Sequence, residues 1–259
     1  MKIGVCLSVF DDKINRLPKI GADYIETNMT ELSKHSFSEV EERAKLLSTL
    51  GAECYSANCL FPGDIRLTGD EVDYGSVSEY IEDVFAKAAI LGLKRVVFGS
   101  GRSRSIPEGF PKDKAHDQLK KLLSEIIAPE AEKQGIICCI EPLRHQETNV
   151  FNTCAEAAKF IREINSKNVR LLVDLYHMDS EGEPRKVLLE LDDILSHAHI
   201  ASAKNSRAIP QPGDGEDYGE FFSILSKIGY QGGISLEGGA GEDFCAGVKS
   251  SIAYLRTLI

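Results

Sequence analysis

Ile136–Leu143 reads IICCIEPL, and this stretch decides the fold. Its first residues, through Ile140, are β-branched or small and apolar, a pattern suited to a parallel strand covered on both faces. Glu141 is the first charge that the run meets, and Pro142 has no N–H for a sheet ladder, so the strand is expected to end there. A carboxylate at the end of a buried strand is costly without a partner. Three later runs repeat the arrangement with Asp174, His199 and Glu237. These four residues are expected to hold one metal ion.

On either side, apolar runs alternate with helical patterns along the whole chain. Strands are expected at residues 2–8, Asp23–Glu26, Cys54–Leu60, Arg95–Phe98, the opening stretch, Val169–Leu175, Leu195–Ala201 and Gly233–Leu236. Helices are expected around Asn15–Ile20, from Ser38 to Leu50, and over Ser76–Leu91, Lys112–Gln134, Thr153–Ile164, Arg185–Leu191, Tyr218–Ile228 and Asp243–Leu258. Ser38 with Glu41, and Thr153 with Glu156, have capping-box spacing, and Pro129 predicts a kink or break. GSGRSRSIPEGFP, from Gly99, reads as a loop. Strand-then-helix units of roughly 30 residues imply parallel strands with crossover helices. Eight of them most simply close into one (β/α)8 TIM barrel over residues 1–259. An open doubly wound sheet is the alternative, and the first strand lacks the GxGxxG turn that would favour it.

Composition sets the outer bounds. The chain is 42% apolar and 27% charged, with a net charge of -10, which disfavours nucleic acid and anionic membranes as partners. No signal peptide and no apolar span of about 20 residues is read, so the expected location is cytoplasmic. Seven cysteines without a CxxC pair read as buried reduced thiols.

A barrel carries its active site at the C-terminal ends of its strands. The polar residues there are Glu26 after the second strand, Asn58 in the third, Glu141, Asp174, His199 and Glu237. One such carboxylate alone reads as a helix cap or surface charge; four ligand-competent residues on successive strands read as a site. Two glutamates, an aspartate and a histidine suit Mn²⁺ or Mg²⁺, and also Co²⁺ or Zn²⁺ at open geometry. Without a cation the carboxylates would raise one another's pKa values. His177, three residues after Asp174, is close enough to exchange a proton or touch substrate. His197 shares a strand face with His199 but lies deeper, so a structural role is expected.

IEPLRHQETN, VDLYHM, HAHIA with a later arginine and PGDGEDY, and ISLEGG resemble the successive motifs of the xylose-isomerase-like barrels. The similarity is to their sugar-phosphate isomerase/epimerase branch, which includes the ketose 3-epimerases, and it covers nearly the whole chain. It implies that Glu141, Asp174, His199 and Glu237 ligate one divalent cation, Mn²⁺ first among the candidates, while Glu147, His177 and Arg207 contact the sugar.

The expected reaction moves a proton at the carbon beside a carbonyl through a metal-stabilised cis-enediolate, with Glu141 and Glu237 as the acid/base pair. Two groups on opposite faces give epimerisation; one group serving both transfers gives aldose–ketose isomerisation. The alternatives are a metal-dependent keto-inositol dehydratase and a non-catalytic sugar-binding barrel. An abasic-site endonuclease is disfavoured by only six histidines and the acidic charge. Arg102, Arg104, Arg144 and Arg207 fall in loops after strands. They read either as solvated charge or, for GSGRSR and Arg144, as a phosphate or carboxylate subsite. The expected partner is a sugar or sugar phosphate, and homo-oligomerisation is expected by analogy with such barrels.

Overall fold

A computed structural model describes all of Met1–Ile259. The strands are β1 (Lys2–Cys6), β2 (Tyr24–Asn28), β3 (Cys54–Asn58), β4 (Arg95–Phe98), β5 (Ile137–Ile140), β6 (Val169–Asp174), β7 (Leu195–Ile200) and β8 (Gly233–Leu236). They close in sequence order into a barrel of eight parallel strands, with β8 returning to β1. The expected (β/α)8 architecture is therefore the observed one. No helix is long and apolar enough to cross a membrane.

Strand alternation sorts the apolar side chains into two populations. Val96, Cys138 and Leu171 belong to the large core between strands and helices. Val97, Cys139 and Leu172, each one position on, pack on one another separately, inside the barrel. Above them the interior turns polar. Register places Cys6 beside Glu26, Glu26 beside Ser56, Asp174 beside His199 and His199 beside Ser235.

Several local expectations are corrected. β2 runs on to Asn28, so Glu26 lies within the strand rather than after it. The first capping box is Ser36 with Glu39, not Ser38 with Glu41. The Glu39 N–H donates to Ser36 Oγ at 3.3 Å and the Ser36 N–H donates to Glu39 Oε2 at 2.7 Å. Thr153 does cap its helix, but Glu156 reaches back to the Asn152 N–H instead of to Thr153. Ahead of Pro129 the helix Lys112–Lys121 widens into a π segment over Leu122–Ile127 before continuing as Ala128–Gln134. The Ala128 N–H donates five residues back, to Leu123 O. This local widening absorbs the proline that would otherwise break the ladder. GSGRSR is not all loop, because Gly101–Arg104 forms a short helix.

Candidate active site

Each candidate ligand is fixed by its strand end. Glu141 follows β5 directly; its N–H donates to Phe98 O at 3.2 Å, and its carbonyl accepts from Arg104 Nη2 at 2.7 Å. Asp174 closes β6 and caps the next helix, so Oδ1 accepts from the Tyr176 N–H at 2.9 Å. Oδ2 is left facing the barrel mouth, 3.3 Å from Arg207 Nη2. Glu237 follows β8; Oε1 accepts from Asn58 Nδ2 at 3.0 Å and Oε2 from Arg207 Nη2 at 2.5 Å. His199 Nδ1 lies 3.2 Å from both Glu141 Oε1 and Glu237 Oε2. One ligand atom from each of Glu141, Asp174, His199 and Glu237 lies within 4.8 Å of the others.

The electrostatics of this cluster are those of converging carboxylates. Burial, with repulsion from Glu237 and Glu141, raises the Asp174 carboxyl to about 8. Burial also raises Glu141, against the pull of His199. Glu237 is buried too, but His199 and Arg207 outweigh burial and hold it down at about 2. Burial opposes a charge on His199, yet Glu26 and Glu237 raise the imidazole well above its ordinary value. A divalent cation fits this arrangement: the donors are three carboxylates and an imidazole, and its charge would relieve the repulsion that raises Asp174.

Asn58, His177, Glu147 and Arg207 stand around the cluster. His177 is 2% exposed, and burial with nearby Arg207 lowers its imidazole to about 3, so it is neutral. Its Nδ1 accepts from the Arg144 N–H at 3.3 Å, while Nε2 has no hydrogen-bond partner and lies 3.4 Å from Asp174 Oδ2. Glu147 accepts from Arg144 Nε at 2.8 Å and stands 4.0 Å from Arg207 Nη1. Arg207 is aimed by an unusual loop: Ser206 and Arg207 both hold positive φ, at 53° and 59°. Its guanidinium lies 4.8 Å from the Tyr176 ring centroid.

Two arginines stand elsewhere. Arg102 is exposed beside Gly63 and makes no ion pair with the four-residue cluster. Arg104 is wholly buried. It donates to the Phe98 and Glu141 carbonyls at 2.8 and 2.7 Å, with its guanidinium over Phe98 and Phe151. It is therefore a brace under Glu141 and not a phosphate ligand. Glu26, one of the polar residues expected at the strand ends, and His197, expected to be structural, meet at 2.6 Å in the barrel interior. Burial opposes the charge on Glu26, but His199 and His197 outweigh it and hold the carboxyl well below its usual range. The signal available for Glu26 was an acidic residue in mid-strand, in YIETN.

A family model described as xylose isomerase-like TIM barrel matches residues 14–258. The 3-dehydro-D-guloside 4-epimerase of Escherichia coli (strain K12) is 28% identical, over 99% of this chain and 100% of its own length. The D-psicose 3-epimerase of Agrobacterium fabrum is 25% identical, over 88% of this chain and 78% of its own. The crystal structure of a 3-keto-D-glucoside 4-epimerase from E. coli superposes with a TM-score of 0.83 at 25% identity, covering 99% of each chain.

Proposed function

The chain belongs to the xylose isomerase-like TIM barrel family, and from that premise we propose that it is a divalent-metal-dependent epimerase that inverts a sugar carbon next to a ketone. The observation that carries this reading is the pair of carboxylates, Glu141 and Glu237, on non-adjacent strands with His199 Nδ1 3.2 Å from each. Glu141, Asp174, His199 and Glu237 would hold the cation, with Mn²⁺ the first candidate and Mg²⁺, Co²⁺ and Zn²⁺ the others. The cation supplies Lewis acidity at the substrate's carbonyl side, which acidifies the neighbouring C–H.

The protein's own groups then do the proton work. A substrate carbon seated between Glu141 and Glu237 presents one face to each carboxylate. One removes the proton, leaving an enediolate, and the other returns a proton to the opposite face, which inverts the centre. Neutral His177 offers Nε2 to a substrate hydroxyl, and Arg207 and Glu147 orient the sugar from the rim. Asn58 holds Glu237 through Oε1 and leaves Oε2 for the site. The substrate class is a ketose, and a 3-keto glycoside inverted at C4 is the second reading. That second reading rests on the end-to-end match to the 3-dehydro-D-guloside 4-epimerase.

A cation-replete screen over free ketoses, sugar phosphates and 3-keto glycosides tests the proposal, with products resolved by chromatography. An epimer is the expected product, and Glu141→Gln or Glu237→Gln should each lower its formation by about 10²-fold or more. An aldose would point to isomerisation and a dehydrated product to a lyase. No product from any sugar would overturn the reading.

A further inference from the structure

Below the four candidate ligands lies a second polar cluster, with Glu26 at its centre. Glu26 is 1% exposed inside the barrel. Its Oε2 accepts from Ser56 Oγ at 2.7 Å, Ser235 Oγ at 2.6 Å and His197 Nε2 at 2.6 Å, and its Oε1 accepts from His199 Nε2 at 2.7 Å. Tyr24 continues the chain, with its hydroxyl 2.9 Å from Ser235 Oγ. Strand register builds this arrangement, setting Glu26 beside Ser56 and His199 beside Ser235.

An ionised carboxylate only accepts hydrogen bonds, so each imidazole nitrogen facing it must carry a hydrogen. For His199 that places a hydrogen on Nε2, while Nδ1, 3.2 Å from Glu141 and Glu237, would give up its own hydrogen to a cation held there. His197 Nδ1 has no partner, and its ring packs beside Tyr24 and Tyr55 with centroids 6.3 and 6.2 Å away. Glu26 is thus the only polar anchor of one histidine's Nε2 besides Ser235, and the fixed outer partner of the other's.

We infer that Glu26 is the positioning residue of the metal centre: it clamps His199 with its hydrogen on Nε2 and its Nδ1 lone pair presented to the cation, and His197 braces the clamp from below. The inference rests on the metal-dependent reading above. It gives a role to a buried carboxylate that lies outside the four-residue cluster of Glu141, Asp174, His199 and Glu237. An outer carboxylate on a ligating histidine both fixes the ring and increases its basicity as a ligand. A network serving only barrel stability would leave cation affinity untouched.

Calorimetric titration of Mn²⁺ into chelator-stripped protein tests this. Glu26→Gln, with its far-UV spectrum unchanged, should bind Mn²⁺ about 10- to 100-fold more weakly than the wild type. In parallel, ¹⁵N NMR of the Mg²⁺-loaded wild type should find the His199 hydrogen on Nε2, which decides the question even if Glu26→Gln does not fold. Undiminished affinity in Glu26→Gln beside a wild type that binds would overturn the clamp alone. A His199 hydrogen on Nδ1 would do the same. A wild type that binds no divalent cation would overturn the metal reading and the clamp together.

Discussion

Asp174 carries the cost of burying three converging carboxylates together. Its carboxyl is raised to about 8, above the range it has in an unfolded chain. The folded, metal-free protein therefore keeps a proton there that the unfolded chain has already lost. That group's stabilisation is complete at low pH and is lost as pH rises from the ordinary carboxylate range toward about 8. A cation takes the proton's place, so Mn²⁺ should raise Tm more at pH 8 than at pH 5.5, as read by thermal unfolding with and without chelator. An equal rise at both would contradict the assignment of Asp174 as a ligand. Gly99 makes a second residue-scale claim, because a Cβ there would collide with the Glu141 carboxylate. Gly99→Ala should lower turnover by about 10²-fold with little change in Tm. The four ligand candidates are legible because each lies at or next to the C-terminal end of its strand; Glu26 is on the same list of polar residues, but its role is not legible, because its partners His197 and His199 lie 171 and 173 residues away.

At the scale of elements, Arg104 ties the ends of β4 and β5 through the Phe98 and Glu141 carbonyls. Arg104→Met would leave both without that donor, at about 1–3 kcal/mol each, a loss measurable by denaturant unfolding. GSGRSR reads as an exposed basic loop because its local sequence carries no sign that the second arginine turns under β5. That contact is made 37 residues along the chain. Helix caps show a milder ambiguity. Ser36/Glu39 and Ser38/Glu41 have the same spacing, and only the first pair closes the reciprocal capping box, in a helix that buries Val40 and Leu47. Ser36→Ala should cost about 1 kcal/mol, whereas Ser38→Ala, exposed within the helix, should cost much less in the same unfolding experiment.

For the whole molecule, the barrel was readable because each of the eight units repeats the same physical sentence: a short apolar run, a polar end, an amphipathic helix. β4 and β8 fall where the sequence places them, at Arg95–Phe98 and Gly233–Leu236. What local patterns could not carry was the layering of the interior, where apolar Val97, Cys139 and Leu172 lie below a polar network that crosses from β2 to β7. That layering suits a cation centre held from beneath by the barrel and open to sugar above. Its most direct test is mass spectrometry of keto-sugars incubated in D₂O with chelator-stripped and Mn²⁺-replenished protein. The account predicts that one solvent deuterium enters the inverted carbon only when the cation is restored. Incorporation that is unaffected by stripping, or none from any keto-sugar with the cation present, would contradict it.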